Sequence, residues 1–369
     1  MINGRRSVIA CTISLAALVL VPTGASAGTP AAPPPIRHVF VVNLENKGYD
    51  ETFGPASPAT YLTGTLRPMG MLLTQYHGIA HASLPNYLAQ ISGQGPSLET
   101  QSDCQMYTDF VGGGTVPPQQ AVGQGCVYPA AVRTLPDQLT ASGLRWKGYM
   151  EDMGNSPTAS RTCRHPDVNT RDETQSARPG DQYAARHSPF VYFHSIIDTP
   201  ACAERVVPLD QLEPDLASSS TTPNLVYITP NLCNDGHDAP CVDGRPGGLV
   251  SADQWLATWV PKILGSPVFE HDGLLIVTFD ESGANDASAC CGEGPGPNSP
   301  LPGITGMGGG RTGAVAVSPF IRSGSRNDRA YNHYSLLCSV EELFGLPKLG
   351  YAGQSGVPCF GTDVYTTLT

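Results

Sequence analysis

Basic residues are scarce in this sequence. Its 21 lysines and arginines stand against 32 aspartates and glutamates, a formal net charge of −11, and charged residues make up only 14% of its 369 positions. A surface so short of positive charge does not attract nucleic acid or an anionic membrane through its bulk field. Long hydrophobic runs are missing too: the apolar stretch at residues 8–21 falls short of the roughly 20 residues a spanning helix needs. No C-x-x-C pair occurs, which removes the commonest zinc-ribbon signature, and no internal repeat is visible, which removes the solenoid architectures.

What is present begins with an export pattern. Arg5 and Arg6 precede the run at 8–21, and small residues follow it, ending Ala25-Ser26-Ala27. That order predicts a cleaved leader at 1–27, with the secreted chain starting near Gly28 and no stable membrane anchor. The arginine pair also admits the twin-arginine route, although the residues around it match that signal poorly. Eleven cysteines are present, and Cys11 falls in the leader, which leaves an even number for an oxidising compartment. Spacing suggests Cys104 with Cys126, Cys163 with Cys202, Cys233 with Cys241 and Cys338 with Cys359, though connectivity does not follow from spacing. Adjacent Cys290 and Cys291 are left over; they form a vicinal bridge, pair elsewhere, or bind zinc.

Residues 28–35 are a proline-rich lead-in with nothing to build a core from, so folding is expected over 36–369 as a single domain. The run Val39-Phe40-Val41-Val42 is too continuous for a strand with one wet face and suits a central strand covered on both sides. Similar strands are expected at 145–150, 224–229, 273–279 and 313–318. Helical periodicity lies between them at 86–92, 135–142, 252–264 and 334–344. Strands alternating with helices indicate an α/β fold, with a central, mostly parallel sheet flanked by helices. Such sheets bind ligands beyond the carboxyl ends of their strands. Two aperiodic segments, 97–130 and 284–312, read as disulfide-pinned loop insertions beside that edge.

Five groups of residues carry the chemistry. Glu45-Asn46 closes the first strand and offers hard oxygen ligands suited to calcium, magnesium or manganese; alone, such a pair is more often a solvated turn. In His81-Ala82-Ser83-Leu84-Pro85-Asn86, Pro85 suits a first helical turn, with Ser83 at or just before the N-cap, where free N–H groups favour an anion. The amide of Asn86 lies one turn along, placed to donate to a phosphoryl oxygen. Asn234-Asp235-Gly236-His237-Asp238 follows the strand at 224–229, in a loop that Cys233 and Cys241 can clamp. Asp280 and Glu281 end the strand at 273–279 as paired acids, which repel one another unless a cation or proton sits between them. His333 stands just inside the last helix. Four of the five sit after expected strands or at helix starts, on the edge where an α/β sheet places its site.

In this order the motifs resemble the bacterial phosphoesterase group that contains secreted acid phosphatases and phospholipases C, within the alkaline-phosphatase-like superfamily. The resemblance runs from about residue 36 to 352. It is carried by Glu45-Asn46 with Asp50, Phe53 and Gly54; by His81-x-Ser83-x-Pro85-Asn86-Tyr87; by Asn234-Asp235-x-His237-Asp238; by Thr278-Phe279-Asp280-Glu281; and by His333-Tyr334 through Gly345-Leu346-Pro347. It implies an alkaline-phosphatase-like fold and a metal-dependent phosphoric ester hydrolase. Glu45, Asn46, Ser83, Asp280 and Glu281 would hold one divalent ion (Ca, Mg, Mn or Zn), with Asp235 and Asp238 as possible additional ligands. Ser83 would form a phosphoserine intermediate, Asn86 would steady the phosphoryl oxygens, and His81, His237 and His333 would contact phosphate or protonate the leaving oxygen.

Two-metal members use a larger set of Asp and His ligands than this sequence supplies, so one ion is expected. The substrate expected is a phosphate monoester, of the acid phosphatase kind and extending to phosphoinositide headgroups, acted on by a monomer. A phosphodiesterase or phospholipase C using the same site is the alternative, and a non-catalytic secreted binding protein is the rival from another class. A sulfatase fits less well, because no arginine follows Pro85.

Overall fold

The computed structural model describes residues 1, 2, 4, 33–304 and 306–366. Apart from three residues at its start, the expected leader lies outside that set. Eight strands form the main sheet: β1 (His38–Leu44), β2 (Met71–His77), β3 (Trp146–Met150), β4 (Val206–Pro208), β5 (Leu225–Thr229), β6 (Gly273–Phe279), β7 (Ala314–Val317) and β8 (Ser325–Asn332). Their spatial order is β8-β2-β7-β6-β1-β5-β3-β4. Every neighbouring pair is parallel except the two that β7 makes, with β6 and with β2. The sheet is therefore mixed and mostly parallel, and seven of its strands send their carboxyl ends to one edge.

β1 sits mid-sheet between β5 and β6, and its side chains alternate between two apolar layers, as strand geometry requires. Val39 and Val41 face one layer, while Phe40, Val42 and Leu44 face the other. Against the first layer pack α1 (Ser83–Ser92), α2 (Leu135–Ala141) and α4 (His333–Leu343), through Leu84, Leu88, Ile91, Leu135, Leu139, Leu337 and Val340. α3 (Gly248–Leu264) covers the second with Leu249, Trp255, Leu256, Val260 and Ile263. Coverage on both faces is the reason β1 and β6 read as unbroken apolar runs. No helix among the described residues is long and apolar enough to cross a membrane.

The four pairings suggested by cysteine spacing are all present, and Cys290 is joined to Cys291. The segment 97–130 is more ordered than a loop: it holds the hairpin Val111–Val116 with Gln120–Gln124, and its base is tied by Cys104 and Cys126. In 284–312 the cystine joins neighbours, so other contacts hold this segment in place. Gly78 N–H donates to Gly310 O at 2.9 Å, and Asn332 Nδ2 donates to Glu293 Oε1 at 2.7 Å. The two insertions also clasp each other, through Gln101 Nε2 on Pro302 O (2.6 Å) and Asn298 Nδ2 on Ala121 O (2.7 Å).

Candidate active site

Four connections leave the carboxyl edge of the sheet and meet above β1. β1 runs into Glu45, β2 into the turn that opens α1 at Ser83, β5 into the loop carrying Asp235, and β6 into Asp280. Asn46 takes a left-handed backbone conformation (φ 57°), which asparagine tolerates better than most residues. The turn aims its backbone N–H at Asp280 Oδ1, 3.0 Å away. In the β5 loop, Gly236 has φ 101°, a conformation that residues with a side chain rarely adopt, and it lets Asp235 face inward while His237 faces out. Glu45 N–H donates to Asp235 O at 2.8 Å and locks the two loops together.

The side chains converge on Glu45, which is fully buried. Ser83 Oγ donates to its Oε2 at 2.8 Å, and Tyr87 Oη, one helical turn on, donates to Oε1 at 2.5 Å. His187 lies 3.3 Å from Glu45 Oε1 through Nε2 and 3.2 Å from Asp235 Oδ2 through Nδ1, its ring stacked on Tyr87 at 5.2 Å. Both imidazole contacts have hydrogen-bond length, yet His187 Nε2 and Asp235 Oδ2 have no hydrogen-bond partner, and neither does Asp280 Oδ2. Polar atoms held this close with no proton aligned between them have the spacing that ligands of a shared cation would need. Burying three carboxylates without compensation costs several kcal/mol each. Burial, followed by the charges of Asp280 and Asp235, pushes Glu45 well above the usual carboxylate range. Burial likewise raises Asp235 and Asp280 and drives His187 far down. The donor set of carboxylate oxygens, an imidazole and a hydroxyl fits a divalent cation, and Glu45, His187 and Asp235 are spaced to share one.

Of the residues singled out from sequence, Glu45, Ser83, Asp235 and Asp280 come together. Asn46 contributes its N–H to Asp280, as described. Several others are engaged elsewhere. Glu281 turns away from Asp280 to pair with His81 Nδ1, while His81 Nε2 faces Asp286 O at 3.0 Å. Ser83 is the first residue of α1 rather than its cap, since the N-cap is Ala82, which makes no side-chain cap bond. All the bonding positions of the Asn86 amide are used within the turn: Oδ1 accepts from Ile79 N and Ala80 N, and Nδ2 donates to Ala80 O and Ala82 O. That amide shapes the approach to Ser83 and has no position left for a phosphoryl oxygen. His333 is fully buried, with Nε2 on Asp280 O at 2.5 Å and Nδ1 facing Tyr76 Oη and Gln90 Nε2, so it braces the backbone that carries Asp280. His237 Nδ1 meets Asp238 Oδ1 at 2.7 Å, which holds Asp238 outside the acid group, and the His237 side chain is 34% exposed.

Three residues at the site were not anticipated. Arg186 and His187 come from the short turn Ala185–His187, which lies between β3 and β4 and follows no strand end, so the edge rule does not reach it. Asp103 comes from the 97–130 insertion, and its Oδ1 accepts from Leu84 N at 2.9 Å at the start of α1. Nothing local marks either Asp103 or Arg186, which is one of 21 lysines and arginines.

A hydroxyl at a helix start, beside a buried acid–imidazole group on the carboxyl edge of an α/β sheet, is the arrangement of a protein that handles a cation and an anion together. The Phosphoesterase family model matches residues 59–347, and the chain belongs to that family. It is 25% identical over 311 residues to an acid phosphatase of Aspergillus fumigatus, covering 84% of this chain and 55% of that protein. It is 26% identical over 329 residues to the phosphatidylinositol-3-phosphatase of Mycobacterium tuberculosis, covering 87% and 81%. The chain thus spans about half the length of the fungal relatives it matches. A solved protein of the alkaline phosphatase superfamily from Vibrio parahaemolyticus superposes with a TM-score of 0.49 and 13% identity, over 86% of this chain and 69% of that one; a likeness that low carries nothing further.

Proposed function

We propose that this chain is a secreted phosphoric ester hydrolase that cleaves phosphate monoesters through Ser83 with the help of one divalent cation. The observation that carries the reading is the 2.8 Å hydrogen bond from Ser83 Oγ to a buried carboxylate, at a helix start among further buried acids. The acid phosphatase and phosphatidylinositol-3-phosphatase relatives support the monoester class, the latter including phosphoinositide headgroups. Five cystines among the described residues support an oxidising compartment, and hence export.

Glu45, Asp235, Asp280, His187 and Ser83 Oγ would hold the cation. When bound, it supplies neutralisation of phosphoryl charge and a lowered pKa for the serine hydroxyl. Ser83 Oγ attacks phosphorus in line; the Oγ–P bond forms as the bond to the ester oxygen breaks, and the hydroxyl proton passes to Glu45 Oε2. The leaving oxygen takes its proton from water, because His237, the partly exposed member of the three sequence-predicted histidines, has Nδ1 on Asp238 and Nε2 on the Arg186 guanidinium. Water then attacks the phosphoserine; the Oγ–P bond breaks, Ser83 Oγ takes back the proton from Glu45, and inorganic phosphate is released. Ser83→Ala should lower turnover of a chromogenic phosphate monoester by roughly 10⁴-fold or more, the scale of a lost nucleophile, with unfolding unchanged. Wild-type rates in that variant would remove Ser83 from the mechanism. Equal rates on a diester would move the reading to a phosphodiesterase or phospholipase C.

A further inference from the structure

We propose that Arg186 is the grip for the phosphoryl oxygens of the substrate, and that Asp103 closes this grip by standing where the substrate anion binds. The inference rests on the phosphoric ester reading and names how the same site recognises its ligand.

Arg186 is buried, with its side chain only 3% exposed, yet no carboxylate meets it in a fork. Nη1 donates to Gln175 O at 3.0 Å, Nη2 lies 3.3 Å from His237 Nε2, and Nε is 3.8 Å from Asp103 Oδ2. Arg164 in the same molecule shows what a satisfied guanidinium looks like: it holds both oxygens of Asp181 in parallel, each at 2.8 Å. The guanidinium has five N–H donors, and its one carboxylate neighbour is held loosely at 3.8 Å, so donors remain that a phosphate could take in two-point fashion. Arg186 precedes His187 in the chain, and its charge acts on Glu45, Asp235 and Asp280, which puts it beside the acid group.

Asp103 touches both elements that would recognise such an anion. Its Oδ1 takes the N–H of Leu84, the backbone donor next after Ser83 in a helix of ten residues, and its Oδ2 faces Arg186. The residue reaches in from the insertion with a left-handed backbone (φ 54°), beside Cys104, which is bonded to Cys126. A carboxylate has two oxygens where a phosphoryl group has three, and its 3.8 Å approach to Arg186 is loose, so a phosphate can replace it on the same donors. The orphaned atoms His187 Nε2, Asp235 Oδ2 and Asp280 Oδ2 lie buried in the same acid group, consistent with a position that is completed by ligand. The opposing idea is that Asp103 is no more than a helix cap supplied from outside.

Binding of inorganic phosphate separates these ideas without needing turnover. The full-length chain with divalent cation is titrated with phosphate by calorimetry at neutral pH, as wild type, Asp103→Asn, Arg186→Gln and Arg186→Lys. Removing the like charge should tighten phosphate about tenfold in Asp103→Asn, while Arg186→Gln should weaken it about tenfold or more and Arg186→Lys should recover only part of that loss. Unchanged or weaker phosphate binding in Asp103→Asn, with an unaltered melting temperature, makes Asp103 a cap and overturns the proposal; wild-type binding in Arg186→Gln overturns it equally. If the asparagine variant folds poorly, Asp103→Ser keeps a short acceptor for Leu84 N–H and is read in the same way. A failure of Ser83→Ala to lose activity would sink the nucleophile assignment and leave these binding outcomes standing.

Discussion

At the scale of single residues, the site separates side chains that gather around Glu45 from those that hold the chain in shape, although both kinds sit in the same motifs. Asn86 is the clearest case. Its four hydrogen bonds all go to backbone groups of 79–82, the turn that presents Ser83. Asn86→Ala leaves buried N–H and C=O groups unpaired, which should cost on the order of 2–4 kcal/mol. Thermal unfolding should report that loss; a variant that melts like wild type and only binds phosphate more weakly would return the amide to the substrate. Glu281 and Asp280 show the same division between neighbours. Successive residues after a strand point to opposite sides, so Asp280 joins Glu45 and Glu281 goes to His81.

At the scale of elements, legibility followed periodicity. β1, β5, β6 and β7 read as apolar runs because both their faces are covered, and the structure has these and β3 within a residue or two of the expected bounds. β2, which delivers Ser83, was not read from sequence. Its run Met71–His77 is interrupted by Thr74 and Gln75, and its place in the sheet comes from pairing with β7 and β8, far away in the chain. β8 is mostly polar on its outer edge and carried no apolar signal. The insertion at 97–130 gained its hairpin from pairing that a glycine-rich stretch does not advertise. The cystine at its base closes a loop of 22 residues, and replacing both cysteines in Cys104→Ser/Cys126→Ser should lower stability by about 3 kcal/mol. Denaturant unfolding measures it, and proteolysis should then begin within 97–130. An unchanged midpoint would mean that the clasp with 284–312 holds the segment by itself.

For the molecule as a whole, the buried acids set how stability responds to pH. Burial pushes Glu341 on α4 up to about 8 and Glu151 beyond β3 up to about 7, and it raises Glu45 and Asp235 well above the usual range. Each group keeps its proton in the folded chain at a pH where the unfolded chain has lost it. Their contribution is therefore complete in acid, below the ordinary carboxylate range, and drains away as pH rises through the folded values. Protein stripped with EDTA should melt lower at pH about 8 than at pH about 5, and a divalent cation should restore much of the loss at the higher pH by taking the place of protons in the acid group. Glu341→Gln should flatten the part of the slope that the cation does not reach. A melting temperature that is level or rises over that window in the stripped protein would contradict the account. By itself the sequence determined the α/β class, the central strands and the edge on which chemistry gathers, and it suggested four of the cysteine pairs, because periodicity, spacing and strand ends are local properties of a chain. Which carboxylates meet, which histidine joins them, and whether an amide faces substrate or backbone were decided only by tertiary structure. Those contacts join residues as far apart as Glu45, Asp103, His187 and Asp280, and their geometry depends on the packing of every segment between.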